Sequence, residues 1–252
     1  MLSEARQDHL IQQVRTAGGI RTAEAAAQFG VSVMTIWRDL EVLEKKGIVR
    51  RVHGGARPAP PEGAPEPAFS SKALWMPPER VTLSRYAAQR FGRPGVSLTL
   101  EGGSTVVGVL SHLQAEGLTI LTNSIEVLRA APTGCNVLGS GGEYRSVSGT
   151  FVGEQALSFF QTHRADFCLL SATGFDQDAG LTDPTPAEIA VKKAMQKGSG
   201  STVLLLDSLK FGQRSVCRLL EPSDIDILVT NESAPEWGLK IFRQAGCRIE
   251  LV

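Results

Sequence analysis

Three turns rich in glycine and hydroxyl groups carry the residue types best suited to gripping an anion. Leu98-Thr99-Leu100-Glu101-Gly102-Gly103-Ser104-Thr105 is an apolar run entering a Gly-Gly-Ser-Thr turn, and a helical stretch, Val106–Leu113, follows it. A second run ends in Leu121-Thr122-Asn123-Ser124, and a third in Gly139-Ser140-Gly141-Gly142 before Glu143-Tyr144-Arg145. Glycine lets backbone approach a ligand closely, N–H groups at a helix start attract negative charge, and hydroxyls donate to phosphate oxygens. Any one such turn serves equally as a bend with a Ser or Thr cap. Three of them after three successive strands would meet at one edge of a parallel sheet, which capping alone does not explain.

A different chemistry is available near the N-terminus. The outward face of a predicted third helix carries Met34, Thr35, Trp37 and Arg38, residues able to reach base edges in a DNA groove. Lys45, Lys46, Arg50 and Arg51 follow and suit phosphates, which give affinity without sequence information. An ordinary three-helix scaffold with solvated charges is the competing reading of the same pattern.

The elements that must position these groups are readable from periodicity. Leu10, Val14 and Ala17 form the stripe of a first helix ended by Gly18-Gly19. Thr22 is placed to cap a second helix with Ala25, Ala26 and Phe29 inward, and Gly30-Val31 supplies the turn. Ser32 is the expected cap of the third helix, with Val33, Ile36, Leu40 and Leu43 as its buried stripe and Gly47 as its C-cap. Ile48–Val52 is strand-like, and His53-Gly54-Gly55 makes a tight turn. Five prolines in Arg57–Ser70 exclude helix and central strand and predict a semi-rigid linker. Beyond it the sequence predicts a helix over Glu79–Phe91. Strands are predicted at Val96–Leu100, Leu118–Thr122, Asn136–Leu138, Phe167–Ser171, Thr202–Leu206, Ile225–Thr230 and Arg248–Val252. Their alternation with helical stretches implies a mostly parallel α/β sheet covered by helices. The expected division is residues 1–57, a linker at 58–70, and an α/β domain at 71–252.

Composition narrows the class. With 42% hydrophobic and 21% charged residues, the chain has ample core material. No apolar run reaches the roughly 18 residues of a membrane span, and the charged start MLSEARQDHL is unlike a secretory signal, so a cytoplasmic protein is expected. Cys135, Cys168, Cys217 and Cys247 are scattered without ligand spacing, which predicts free thiols, no metal and no cofactor. Net charge is zero, yet residues 1–57 hold nine Lys/Arg against six Asp/Glu, a net of +3. The remainder holds 17 against 20, a net of −3.

The residues Phe29-Gly30-Val31-Ser32-Val33-Met34-Thr35-Ile36-Trp37-Arg38-Asp39-Leu40 and Leu43-Glu44-Lys45-Lys46-Gly47, continuing to Arg51-Val52-His53-Gly54-Gly55-Ala56, resemble the N-terminal signature of DeoR-type regulators. Gly103-Ser104-Thr105, Thr122-Asn123-Ser124, Gly141-Gly142 with Tyr144-Arg145, Ala165-Asp166, Gly180-Leu181-Thr182 with Glu188 and Lys192, and Asp207–Gly212 resemble that family's sensor domain. The resemblance implies a winged helix-turn-helix whose wing is the Arg50–Gly55 hairpin, with Thr22, Ser32, His53 and Gly54 joining the DNA-contact set. It also implies a sensor fold akin to ribose-5-phosphate isomerase that takes a phosphorylated sugar. By that analogy Gly103, Ser104 and Thr105 cradle the phosphate, and Asp166, Asp207 and Lys210 lie near the sugar. Glu101, Gly102, Thr122, Asn123, Ser124, Gly141, Gly142 and Arg145 complete the expected effector set.

Two departures from the family pattern stand out. Trp37 replaces the first of two arginines, removing a cation and a donor fork; it is open to contact with a thymine methyl or sugar, or to packing on the body. Glu101 replaces an aspartate. The implied protein is a sequence-specific operator-binding regulator, a repressor of sugar-metabolism genes, working on double-stranded DNA as a homo-oligomer (dimer or tetramer) away from membranes. The alternative is a sugar-phosphate isomerase with a DNA-binding-like head. Such isomerases carry an acidic D-G-A-D-E motif and a Lys-Gly-Gly-Gly run. Here the comparable stretch is Ser171-Ala172-Thr173-Gly174-Phe175-Asp176, which lacks both, so no enzyme is expected.

Overall fold

The computed structural model describes residues 3–17, 19–46, 48–52, 54–58, 68–69, 76–114 and 116–252. The expected Gly18 stop, the Gly47 C-cap, His53 and most of the proline-rich stretch lie outside these. The chain divides into two compact units, Met1–Trp75 and Met76–Val252.

In the first unit, helices α1 (Ser3–Ala17), α2 (Thr22–Phe29) and α3 (Val33–Lys45) pack on a small sheet of β1 (Ile20–Arg21), β2 (Val49–Val52) and β3 (Gly55–Pro58), ordered β1-β3-β2. Leu10, Val14, Ile36, Leu40, Leu43 and Val49 are buried together as its core. Gly30 ends α2 at φ 62, a left-handed conformation that glycine adopts without steric cost. Ser32 caps α3 as expected, accepting from the Thr35 N–H at 3.2 Å. Two expectations fail here. Val33 lies outside the buried stripe at 43% exposure, because Asp39 takes a place on that inner face. Thr22 is the first residue of α2 and makes no side-chain cap; its hydroxyl and its N–H both donate to the Gly54 carbonyl, at 3.0 and 2.9 Å.

The second unit is a seven-stranded sheet, all parallel, ordered β15-β14-β12-β9-β4-β5-β6. These are β4 (Ser97–Leu100), β5 (Thr119–Thr122), β6 (Asn136–Gly139), β9 (Ala165–Leu170), β12 (Ser199–Leu205), β14 (Ile227–Thr230) and β15 (Arg248–Leu251). Each corresponds to one of the seven runs predicted from sequence. The central strands are largely apolar on both faces because both faces are covered, while the edge strands β6 and β15 are partly exposed. On one face α4 (Pro78–Phe91), α5 (Ser104–Val107) and α6 (Ile125–Ala130) bury Leu83, Phe91, Val106 and Val127 against Leu98, Leu100, Leu169 and Val203. On the other, α7 (Glu154–Thr162), α8 (Pro186–Lys197) and α9 (Glu236–Gln244) bury Phe160, Met195 and Phe242 against Cys168, Leu170, Leu204 and Leu228. The stretch after α5 is a 3-10 turn, Gly108–His112, rather than the helix expected through Leu113.

Five short strands were not anticipated in this unit. A hairpin pairs β7 (Glu143–Arg145) with β8 (Thr150–Val152), and β10 (Gly174–Asp176), β11 (Gly180–Asp183) and β13 (Cys217–Arg218) form a small antiparallel sheet.

Candidate functional site

On the first unit, the outward side of α3 presents Met34 at 61% exposure and an exposed Arg38. The Thr35 hydroxyl is closed onto Ser32 Oγ at 2.9 Å. Trp37 is half-buried, and the Arg51 guanidinium carbon lies 5.6 Å from its ring centroid. Arg51 is further held by Glu44: its Nε donates to Oε2 at 2.6 Å and its backbone N–H to Oε1 at 2.8 Å. Partial burial pushes the Glu44 carboxyl up, but these two bonds outweigh it and leave the group below the usual range. The wing strand β2 is thus fastened to α3 through Glu44, Arg51 and Trp37. Trp37 is therefore partly covered by the Arg51 guanidinium.

Lys45 pairs with Glu41 at 2.9 Å on the open surface, while Lys46 is exposed and Arg50 half-buried. Beneath the outward face, Asp39 is buried and receives Arg6 Nε at 2.5 Å, Ser3 Oγ at 2.9 Å and Gln7 Nε2 at 3.1 Å. Burial would raise its pKa; the Arg6, Gln7 and Ser3 hydrogen bonds win and hold it below the ordinary aspartate value. This carboxylate, which the sequence reading gave no role, fixes α1 across α3.

On the second unit, the expected turns do converge at the carboxyl ends of the strands. A Cβ added to Gly102 would collide with Thr150 Cγ2 and lie 3.4 Å from Ser124 Oγ, so the β4 and β5 turns and β8 are in contact. One on Gly103 would collide with Ser171 Oγ and Glu101 Oε1, bringing in the end of β9. Gly103 begins α5 without any side-chain cap bond. Ser104 is half-buried and Thr105 is buried. Gly141 and Gly142 turn at φ 60 and 118, and Arg145 Nε stands 3.5 Å from Glu188 Oε1.

Several residues expected to contact the effector are hydrogen-bonded within the fold. Glu101 is buried at 3% exposure and accepts from the Ser171 hydroxyl at 2.6 Å and N–H at 3.1 Å, with Lys192 Nζ 3.3 Å away. The Thr122 hydroxyl donates to the Leu100 carbonyl at 2.7 Å, and Ser124 Oγ caps α6 at 3.4 Å from the Val127 nitrogen. Asp207 is 1% exposed and bonded to Arg80 Nε of α4 at 2.8 Å and to the Leu209 N–H at 3.0 Å. Asn123 is different. Its Nδ2 donates to the Phe151 carbonyl at 2.9 Å, while its buried Oδ1 has no hydrogen-bond partner among the described residues. Lys210 is half-buried just past β12, two strands from β4, or about 10 Å at ordinary strand spacing.

Asp166 must be corrected. It stands at the amino end of β9, bonded to the Ser97 N–H and hydroxyl, each at 2.7 Å, at the start of β4. That is the opposite edge of the sheet from the converging turns. The two Ser97 bonds, the backbone one first, hold its carboxyl below the usual aspartate range.

The sequence reading also missed the centre of the floor. Lys192 Nζ lies 2.6 Å from Asp183 Oδ2 and donates to the Ser171 carbonyl at 2.9 Å as well as facing Glu101. Burial pulls this ammonium down, but Asp183 and Glu101 overcome it and hold it above the ordinary lysine range. Glu188, one turn earlier on α8, accepts from the Thr150 hydroxyl at 2.8 Å. The Glu188/Lys192 spacing of four was the available signal, since it places both on one side of a helix. Among the described residues, no group of three or more His, Cys, Asp or Glu could hold a metal, and no helix is long and apolar enough to cross a membrane.

A winged helix-turn-helix attached to a parallel sheet with a polar, glycine-lined edge defines a transcriptional regulator with a sensor domain. Residues 6–60 match the DeoR-like helix-turn-helix domain, and residues 79–232 match the DeoR C terminal sensor domain. The chain belongs to the DeoR family. It is 30% identical to the glycerol-3-phosphate regulon repressor of Haemophilus influenzae, covering 100% of this chain and 98% of that one. The Escherichia coli (strain K12) protein of the same name is 28% identical over 100% of both chains, and the putative aga operon transcriptional repressor of Escherichia coli O157:H7 is 27% identical over 98% and 93%. Among solved structures, a ribose 5-phosphate isomerase from Plasmodium falciparum aligns over 52% of each chain at 16% identity, with a TM-score of 0.36.

Proposed function

We propose that this regulator is an operator-binding repressor released or engaged by a phosphorylated sugar or polyol held at the carboxyl edge of the sensor sheet. The observation that carries the reading is the close approach of the Thr122–Ser124 turn, β8 and the end of β9 to Gly102 and Gly103, together with a buried Asn123 oxygen that has no hydrogen-bond partner among the described residues. Phosphate would lie on the N–H groups and hydroxyls of Gly103, Ser104 and Thr105, with Lys210 and Arg145 as counter-charges at the rim. Relatives named as glycerol-3-phosphate regulon repressors agree with a small phosphorylated ligand. Glu101 and Asp207 contribute by holding the floor and α4, not by touching ligand. Binding regulates only if it favours one arrangement of the molecule over another. The same view makes the DNA contacts those of α3 and the wing, with Arg38, Lys46 and Arg50 toward the duplex, in a homo-oligomer that presents two or more heads.

The reading includes no catalysis. The Glu188 carboxylate accepts from the Thr150 hydroxyl and stands 3.5 Å from Arg145 Nε, so its oxygens are engaged within the fold. The test is a thermal-shift panel of phosphorylated sugars and glycerol phosphate against the full chain. A ligand at 100 times its Kd adds about 2.7 kcal/mol. Ser104→Asp places a carboxylate where phosphate is expected and should abolish that shift while leaving DNA binding intact. Undiminished binding by Ser104→Asp, or interconversion of ribose and ribulose phosphates by the wild type, overturns the assignment.

A further inference from the structure

The first turns of a recognition helix are the part that enters the major groove, and their outward side chains meet base edges. In α3 those outward side chains are apolar. Val33 is 43% and Met34 61% exposed, and Met34 is the most exposed large apolar side chain among the described residues of this unit. The polar groups nearby are committed elsewhere. The Thr35 hydroxyl is bonded to Ser32, and Trp37, standing where relatives carry a guanidinium, lies under Arg51, which Glu44 holds in turn. Arg38 is the first outward donor of the helix, one turn beyond Met34 on the same side. Lys46 and Arg50 flank the face with positive charge.

An exposed methionine and valine lose free energy in water and recover it only against another apolar surface. In the major groove, the apolar feature that a base pair offers is the C5-methyl group of thymine. We propose that this regulator reads its operator half-site through thymine methyl groups packed on Met34 and Val33, with Arg38 supplying the adjoining polar contact and Trp37 positioning the wing without touching a base. The inference rests on the DNA-binding reading of α3 and adds to it the chemistry of the bases read.

The probe is the duplex that the full-length wild-type protein enriches from a random-sequence library. Each thymine is then replaced singly by uracil, which removes one methyl group and changes no hydrogen-bonding group. At one or more positions per half-site, wild-type affinity should fall by about fourfold, the worth of one buried methyl group. Met34→Ala should bind the thymine duplex several-fold more weakly and lose its sensitivity at the same positions, while Met34→Leu keeps both. Met34 is exposed, so neither change threatens the fold, and circular dichroism verifies this. A wild type indifferent to uracil at every position overturns the inference while the DNA-binding reading survives. So does a Met34→Ala variant as sensitive as wild type. A protein that enriches no sequence refutes the DNA-binding reading, and this inference falls with it.

Discussion

Removing the charge of Asp39 without its shape is the sharpest test of how the recognition helix is held. Asp39→Asn retains an oxygen for Ser3 and Gln7 but takes the carboxylate away from Arg6, at 2.5 Å, in a pair whose side chains are 5% and 8% exposed. Breaking such a buried pair by one partner costs about 3–5 kcal/mol. Arg6 lies in the opening turn of α1 and can swing outward, so the lower end, about 3 kcal/mol, is expected. A unit of this size holds only about 3–8 kcal/mol in total, so the variant head should retain roughly 0–5 kcal/mol. Scanning calorimetry of the full chain should show the head transition lowered by at least 12 °C, at roughly 4–8 °C per kcal/mol, with the sensor transition unmoved.

The pH dependence has a fixed sign. A depressed Asp39 pKa gives stability that is present above about pH 4 and lost as pH falls through the folded-state value. The wild-type head should therefore weaken in acid, and the variant should lack that component. Replacing both partners, Arg6→Met with Asp39→Leu, should recover most of the loss. A head transition shifted by less than 4 °C in Asp39→Asn refutes the reasoning.

Other outcomes follow from the sensor. Lys192→Met leaves Glu101 and Asp183 buried without their shared cation and should destabilise that unit by about 3 kcal/mol in urea unfolding at neutral pH. Gly102→Ala drives a methyl group into Thr150 and should cost about 1–3 kcal/mol of stability together with effector binding seen by calorimetry. Asp166→Ala should leave effector affinity unchanged, because the residue sits at the far edge of the sheet. Trp37→Phe should keep the salt dependence of operator binding, whereas Trp37→Ala, which uncovers the face of the Arg51 guanidinium while Glu44 still holds it, should alter it in a fluorescence titration across salt concentrations.

What could be read from the residues alone depended on length and burial. The central strands of the main sheet are largely apolar runs, a pattern legible in the residues themselves, and the edge strands β6 and β15 are short and partly exposed. Strands such as β1, with two residues, or β10, with three, are too short for any periodicity and exist because a neighbour supplies their partners. Asp166 shows a different failure. Its strand was predicted at Phe167–Ser171, which already put the aspartate before the strand and therefore at the wrong edge for a ligand, yet motif matching overrode that geometry. Glu101 and Asp207 stand at the carboxyl edge with their oxygens bonded within the fold, which their sequence does not reveal. Sequence shows a charged residue at a turn; only coordinates show that Ser171 and Lys192, or Arg80, have already claimed its oxygens.

The separation between floor and rim has a practical consequence for anyone wishing to build a biosensor from this chain. Lys192, Asp183, Glu101 and Ser171 hold the strand ends together from beneath. Ser104, Arg145 and Lys210 stand above them half-buried, outside the apolar clusters on both faces of the sheet. Libraries confined to those rim positions would explore new ligands while the scaffold keeps its folding free energy, whereas libraries reaching into the floor would spend most of their members on unfolded protein.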